Sequence, residues 1–310
     1  MPANPRPPRH WCDELPTEQE WPTWLLIAAV YASWLAVAAY ARELGPWITA
    51  VLLTLVTCWY GSLQHELLHG HPTRSARLNR LLGLAPLAVW FPYDLYRDSH
   101  LRHHRDPQLT LPGEDPESNY VTERDWAGLA APLRGVYLAR RTLLGRALVG
   151  PAFTIALAWR DIVTKPWQGD WHDTTSWLEH LALLAALLWV LDRYAGISPA
   201  FYLLAIAYPA LSLGLVRSFY EHRPADTPAH RICLNEAGWL WRLLFLNNNY
   251  HLVHHEQPSL PWYRIPAVYR ARRDDYIAQS GGFLLPGYGA LWRRFAWRRV
   301  DSPVLPEARP

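Results

Sequence analysis

The chain has 310 residues, enough for one large domain or two small ones, and its net charge of +3, with no nucleic-acid-binding motif, argues against a nucleic-acid partner. Half the residues are hydrophobic while the mean hydropathy is only −0.12, so any membrane portion is balanced by a substantial polar one. Three distant cysteines (Cys12, Cys58, Cys233) without a C-x-x-C pair exclude a disulfide framework or a cysteine metal site.

The first 20 residues, rich in proline and charge, have no apolar h-region and so are no cleavable signal peptide; they read as a flexible arm. Two apolar runs follow, Trp24 to Ala41 and Trp47 to Leu63, joined by the short RELGP and each able nearly to cross a bilayer core. A second pair covers Trp177 to Leu191 and Ile197 to Val216, joined by DRYAG; its first member is short for a span and carries Glu179 and His180 at its start. The 18 tryptophans and 16 tyrosines suit a protein with membrane–water boundaries. Two shorter apolar stretches, Leu81 to Pro92 and Ala147 to Trp159, each contain a proline and are expected to lie in the interface or re-enter. The chain then crosses four times, with both termini and the long middle segment on one side. Of the 30 basic residues only Arg42 and Arg193 fall in the short loops, so the positive-inside bias makes the other side cytoplasmic. The expected fold is an all-α integral membrane protein: four transmembrane helices with a cytoplasmic helical cap, one domain over 1–310 with residues 271–310 as a C-terminal extension.

Nine of the 14 histidines fall in four places on that one side. HELLH holds His65 and His69, HLRHH holds His100, His103 and His104, FYEHR holds His222, and HLVHH holds His251, His254 and His255. Spacings of three and four put these side chains on shared helical faces. Random order predicts roughly 0.03 occurrences of H-x-x-H-H in such a chain; two are present. HELLH also matches the H-E-x-x-H of zinc proteases, with Glu66 as general base, so a membrane zinc metalloprotease is the competing reading. A protease needs only one more ligand and leaves the remaining clustered histidines unused. Eight or nine imidazoles suffice for two metal ions, and imidazole suits iron, zinc and copper alike. Neutral ligands in apolar surroundings favour redox activation of O2 over a structural role.

HELLH, HLRHH and HLVHH, in this order and spacing, resemble the three histidine boxes of the membrane-bound fatty acid desaturase and hydroxylase family. The resemblance covers roughly residues 24–270 and extends to HGHPTR, PYDLYRDSHLRHH, EHR and NNNYHLVHH followed by PSLPWYRIP. It implies two irons held by His65, His69, His100, His103, His104, His251, His254 and His255, with His222 as the extra ligand after the fourth helix. Asn247 matches an asparagine that holds a metal-bound water. Glu66 and Asp98 adjoin box histidines and are expected to accept their second imidazole N–H. The implied reaction is O2-dependent desaturation or hydroxylation of an unactivated carbon of a fatty acyl or lipid chain. A hydroxylase or ketolase acting on another hydrophobic substrate shares the arrangement. With no H-P-G-G haem motif in the chain, electrons are expected from a separate ferredoxin, rubredoxin or similar carrier with its reductase. The expected location is the bacterial inner membrane, with the boxes cytoplasmic.

Overall fold

The structure, a computed structural model, describes residues 20–106 and 108–305; the expected N-terminal arm lies outside the described residues apart from Glu20. Four helices are long and apolar enough to cross a membrane: Trp21–Ala39 (α1), Ala41–Leu68 (α2), Thr174–Ala195 and Pro199–Arg217. In α1 Pro22 stands in the first turn, where its missing N–H costs no intrahelical bond. The link to α2 is tighter than the expected loop. Helix resumes at Ala41 and breaks only at Gly45 (φ 75°, ψ 166°), directly before Pro46, so RELGP is a kink inside α2.

The third span is longer than its apolar run suggests. It continues through a π-helical turn, Leu191–Ala195, and ends on Gly196 in the left-handed region. The two polar residues at its start are both engaged. Glu179 pairs with Arg80, and the ring Nε2–H of His180 donates to the Val89 carbonyl.

The stretch from Leu81 to Pro92 enters the bundle. After the helix Ala76–Gly83 (α3) it holds only a 3-10 turn at Pro86–Ala88, yet Leu87 and Val89 belong to the same core as α1, α2 and the fourth span. Irregular backbone inside an apolar bundle persists only if its polar groups find partners. Here the spans supply them. Tyr60 Oη donates to the Gly83 and Ala85 carbonyls at 2.6 Å, Gln64 Nε2 to Gly83 at 2.8 Å, and Tyr202 Oη to Leu87 at 2.9 Å. The other short stretch, from Gly150 on, lies in a helix, Gly150–Trp167, which leaves Trp159, Val163 and Trp167 exposed, as an interfacial helix would; its Ala147 and Leu148 end the preceding helix, Leu143–Leu148.

The remaining elements are short. Tyr93–Arg105 (α4) carries the second histidine box and the helix His251–Glu256 the third. A two-residue parallel pairing of Leu234–Asn235 with Leu284–Leu285 ties the segment before the third box to the C-terminal region. Farther on, Val121 bridges Val304, and Arg141 pairs with Asp301.

Candidate metal centre

Helix geometry brings the histidines together. His65 lies in the last turn of α2 and His69 caps it, so the spacing of four keeps both on one face. In α4 the same spacing aligns His100 with His104. His222 follows the fourth span on a segment fixed by an antiparallel bridge to Ile232 and by Cys233 N–H donating to Glu221 O at 2.9 Å. The third box is held by Leu252 N–H on Cys233 O at 3.1 Å, and Asn235 N–H donates to Asn249 O at 2.8 Å just before it.

All nine histidines assemble into two groups. His65, His69, His100, His104 and His254 form one, His103, His222, His251 and His255 the other, with ligand atoms in each group within 4.8 Å of one another. Each H-x-x-H-H box serves both. Adjacent residues on a helix project about 100° apart, so His103 turns to the second group while His104 turns to the first. His254 and His255 divide in the opposite sense.

In the first group His104 Nε2 lies 3.0 Å from Nε2 of both His100 and His254. In the second, His222 Nε2 lies 3.1 Å from that of His103 and 3.0 Å from that of His251, which is 3.1 Å from His255 Nε2. The groups adjoin, since the His104 and His255 rings stack with centroids 4.2 Å apart. His69 Nε2 is buried with no hydrogen-bond partner. A converging set of imidazole nitrogens with one such orphan fits a cation-binding site, and all-nitrogen donors suit iron, zinc or copper.

Electrostatics agree with neutral ligands. Burial, then the neighbouring histidines, holds His69, His251, His254 and His255 well below the usual histidine range. The same causes bring His104 to about 2 and His222 to about 3. His103 runs the other way. Burial is the largest influence and lowers it, but the bond to Asp115 together with the charges of Glu117, Asp115 and Glu221 outweighs burial and raises it.

The outer contacts come mainly from residues that sequence reasoning missed. His103 Nδ1 donates to Asp115 at 2.7 Å and His100 Nδ1 to Glu117 at 2.8 Å. Asp115 also accepts the backbone N–H groups of Thr110 and Glu117, each at 2.8 Å. Burial alone would raise both carboxyls, but the histidine contacts hold each below its ordinary value. Asn248 accepts from His251 Nδ1 at 3.1 Å.

The three expected supporting residues fare differently. Asp98 corrects the expectation: its carboxylate is half exposed and bonded to Arg97 at 2.8 Å, away from the imidazoles. Glu66 is buried, but its Oε1 is 3.8 Å from His65 Nδ1, too far for a hydrogen bond, while its Oε2 accepts Trp262 N–H at 3.0 Å. Asn247, with φ 60°, donates to the Trp262 carbonyl at 2.9 Å, and its neighbour Asn248 makes the histidine contact. His71, two residues past the first box, bonds through Nδ1 to Glu20 at 2.6 Å.

The family model described as fatty acid desaturase matches residues 42–284. No curated protein matches the chain.

Proposed function

Because the chain belongs to the fatty acid desaturase family, we propose that it is a membrane-bound di-iron oxidoreductase that desaturates, or hydroxylates, an unactivated carbon of a fatty acyl or lipid chain. The observation that carries this reading is the division of nine histidines into adjoining groups of five and four. His65, His69, His100, His104 and His254 would hold one iron; His103, His222, His251 and His255 would hold the other. When bound, the irons supply the chemistry that couples reduction of O2 to removal of hydrogen from carbon. For desaturation the balance is one O2, two electrons and two protons, giving a C=C bond and two waters.

The chain's own residues do the rest. Burial keeps His69, His104, His222, His251, His254 and His255 neutral, so their lone pairs are free for metal at neutral pH. Asp115, Glu117 and Asn248 fix the Nδ1–H tautomers and leave Nε2 facing inward. The apolar spans beneath the boxes suit a chain substrate and exclude water. The electrons would come from a separate ferredoxin- or rubredoxin-type carrier with its reductase. We place the boxes on the cytoplasmic side of a bacterial inner membrane from the arginine distribution. The protease reading is disfavoured because His65 and His69 share their group with His100, His104 and His254 beside a second group of four, ligands that a zinc protease would leave unused.

Metal analysis of protein purified from iron-replete cells in mild detergent tests the proposal. About two irons per chain, with altered acyl profiles in expressing cells, is the expected result. One zinc, lost with His65 or His69 and indifferent to His104 or His255, would overturn it in favour of a protease.

A further inference from the structure

Three arginines between the second and third spans, Arg140, Arg141 and Arg146, are buried, at 9%, 5% and 5% exposure. Their charges are not balanced. Arg141 has a counter-ion, Asp301, and also donates to Tyr120 Oη at 2.9 Å. Among the described residues, Arg140 and Arg146 have none in contact. Both converge on one neutral acceptor, the amide oxygen of Asn119, at 3.2 and 2.5 Å. Among the described residues Arg146 otherwise reaches the Leu215 carbonyl and Ser218 Oγ, each at 3.4 Å. Arg140 stacks its guanidinium 4.0 Å from the Phe153 ring centre, and its Nε is buried with no hydrogen-bond partner.

Two buried guanidinium groups sharing one amide oxygen are costly unless an anion completes them. Burial, then the like charges of Arg140 and Arg141, pushes Arg146 well down from the usual arginine range, against the pull of Glu221. The surroundings indicate where the anion comes from. Phe153 belongs to the helix Gly150–Trp167, whose Trp159, Val163 and Trp167 are exposed like those of a helix at the headgroup boundary, and Leu148 just before it is 66% exposed. A phosphate at that depth presents several oxygens to planar guanidinium forks.

We propose that Arg140 and Arg146, with Asn119 between them, bind the phosphate of a lipid headgroup. The site also adjoins the metal centre along the chain. Asn119 lies two residues beyond Glu117, which holds His100, and Ser218 four residues before His222. The bound lipid is therefore the acyl substrate, anchored by its head; this last step rests on the desaturase reading, whereas the binding itself does not.

The test is binding of dioleoyl phosphatidylglycerol to the full chain in detergent, read by native mass spectrometry and by the shift in thermal midpoint. Diacylglycerol, which lacks the phosphate, and inorganic phosphate are the comparison probes. Phosphatidylglycerol should bind and raise the midpoint, diacylglycerol should not, and Arg140→Gln and Arg146→Gln should each weaken binding about tenfold. Because Arg140 makes a single long hydrogen bond, Arg140→Gln should fold with an unchanged or higher midpoint in lipid-free detergent. Equal binding to wild type and both variants, or equal binding of diacylglycerol, would overturn the proposal. Inorganic phosphate raising the midpoint as much as the lipid would overturn the lipid source. Metal content, measured on the same samples, should be unchanged in Arg140→Gln. Lipid binding by a chain that holds no iron would sink the substrate step and leave the headgroup site standing.

Discussion

Single side chains at the centre differ in how visible they are in sequence. The histidines are legible because spacings of three and four on a helix are contacts in themselves. The partition of each box between two groups follows from the angle between neighbouring positions, yet it needs the facing helix to say which group lies on which side. Asp98 fails as a partner for His100, and Glu66 for His65, for the same geometric reason that makes the boxes work: residues one or two apart on a helix do not face each other. Asp115 and Glu117 return from a loop 12 and 17 residues away from the histidines they hold, and a loop has no period to announce that. Replacing Glu117 by Gln should weaken metal binding about tenfold through loss of the charged acceptor on His100, whereas Asp98→Asn should leave it unchanged; competition with a chelator measures both. His222→Ala removes one ligand from the smaller group and should lower the bound metal from about two per chain to about one. Retention of two metals in that variant would remove His222 from the ligand set.

At the scale of elements, apolar run length located all four spans and missed their ends. α2 absorbs the expected first loop because Ala41 to Leu44 keep helical geometry until Gly45 and Pro46 break it. The third span outruns its apolar stretch because the helix continues through the π-helical turn Leu191–Ala195, and it tolerates Glu179 and His180, unfavourable in a lipid-facing helix, because each is paired with a neighbouring segment. The irregular segment after α3 could be placed near the membrane from its length, but its depth depends on donors in other helices. Tyr60 is the clearest of these, fully buried with its hydroxyl on two carbonyls. Tyr60→Phe keeps the ring and leaves the Ala85 carbonyl without that donor, so a loss of about 1–3 kcal/mol is expected. Thermal unfolding in detergent reads it as a lowered midpoint; an unchanged midpoint would mean that the segment does not depend on the spans for its hydrogen bonds. The exposed tryptophans of Gly150–Trp167 offer a second check on placement: brominated lipids should quench Trp159 and Trp167 strongly if that helix lies in the interface.

Across the whole molecule, the site joins the end of the second span, α4, the segment after the fourth span and a late helix, so no local stretch of sequence contains it. What assembles it is the antiparallel order of four spans, which returns the ends of the second and fourth to one face. The cost is a concentration of buried imidazoles whose charged forms the fold rejects. This gives the metal-free protein a pH dependence of definite sign. His104 at about 2 and His222 at about 3, with His69, His251, His254 and His255 also well below their ordinary range, remain neutral while the unfolded chain takes up protons below about pH 6.5. The unfolded state then binds more protons, so stability falls as pH falls through that window. His103, raised against burial by Asp115, Glu117 and Glu221 together, contributes in the opposite direction, with stability present below its unfolded value and lost as pH rises through its folded one. His71, raised against burial by its bond to Glu20, and His172, raised by its bond to Asp173, act in the same sense, as does Glu221, which burial pushes up to about 7, so these four stand against six. The thermal midpoint of chelator-treated protein should therefore be lower at pH 5.5 than at pH 7.5, and added metal, which binds only the neutral imidazoles, should raise it more at pH 7.5. A midpoint that rises on acidification would mean that the histidines are charged in the fold, and neutral nitrogen ligation would have to be abandoned with it.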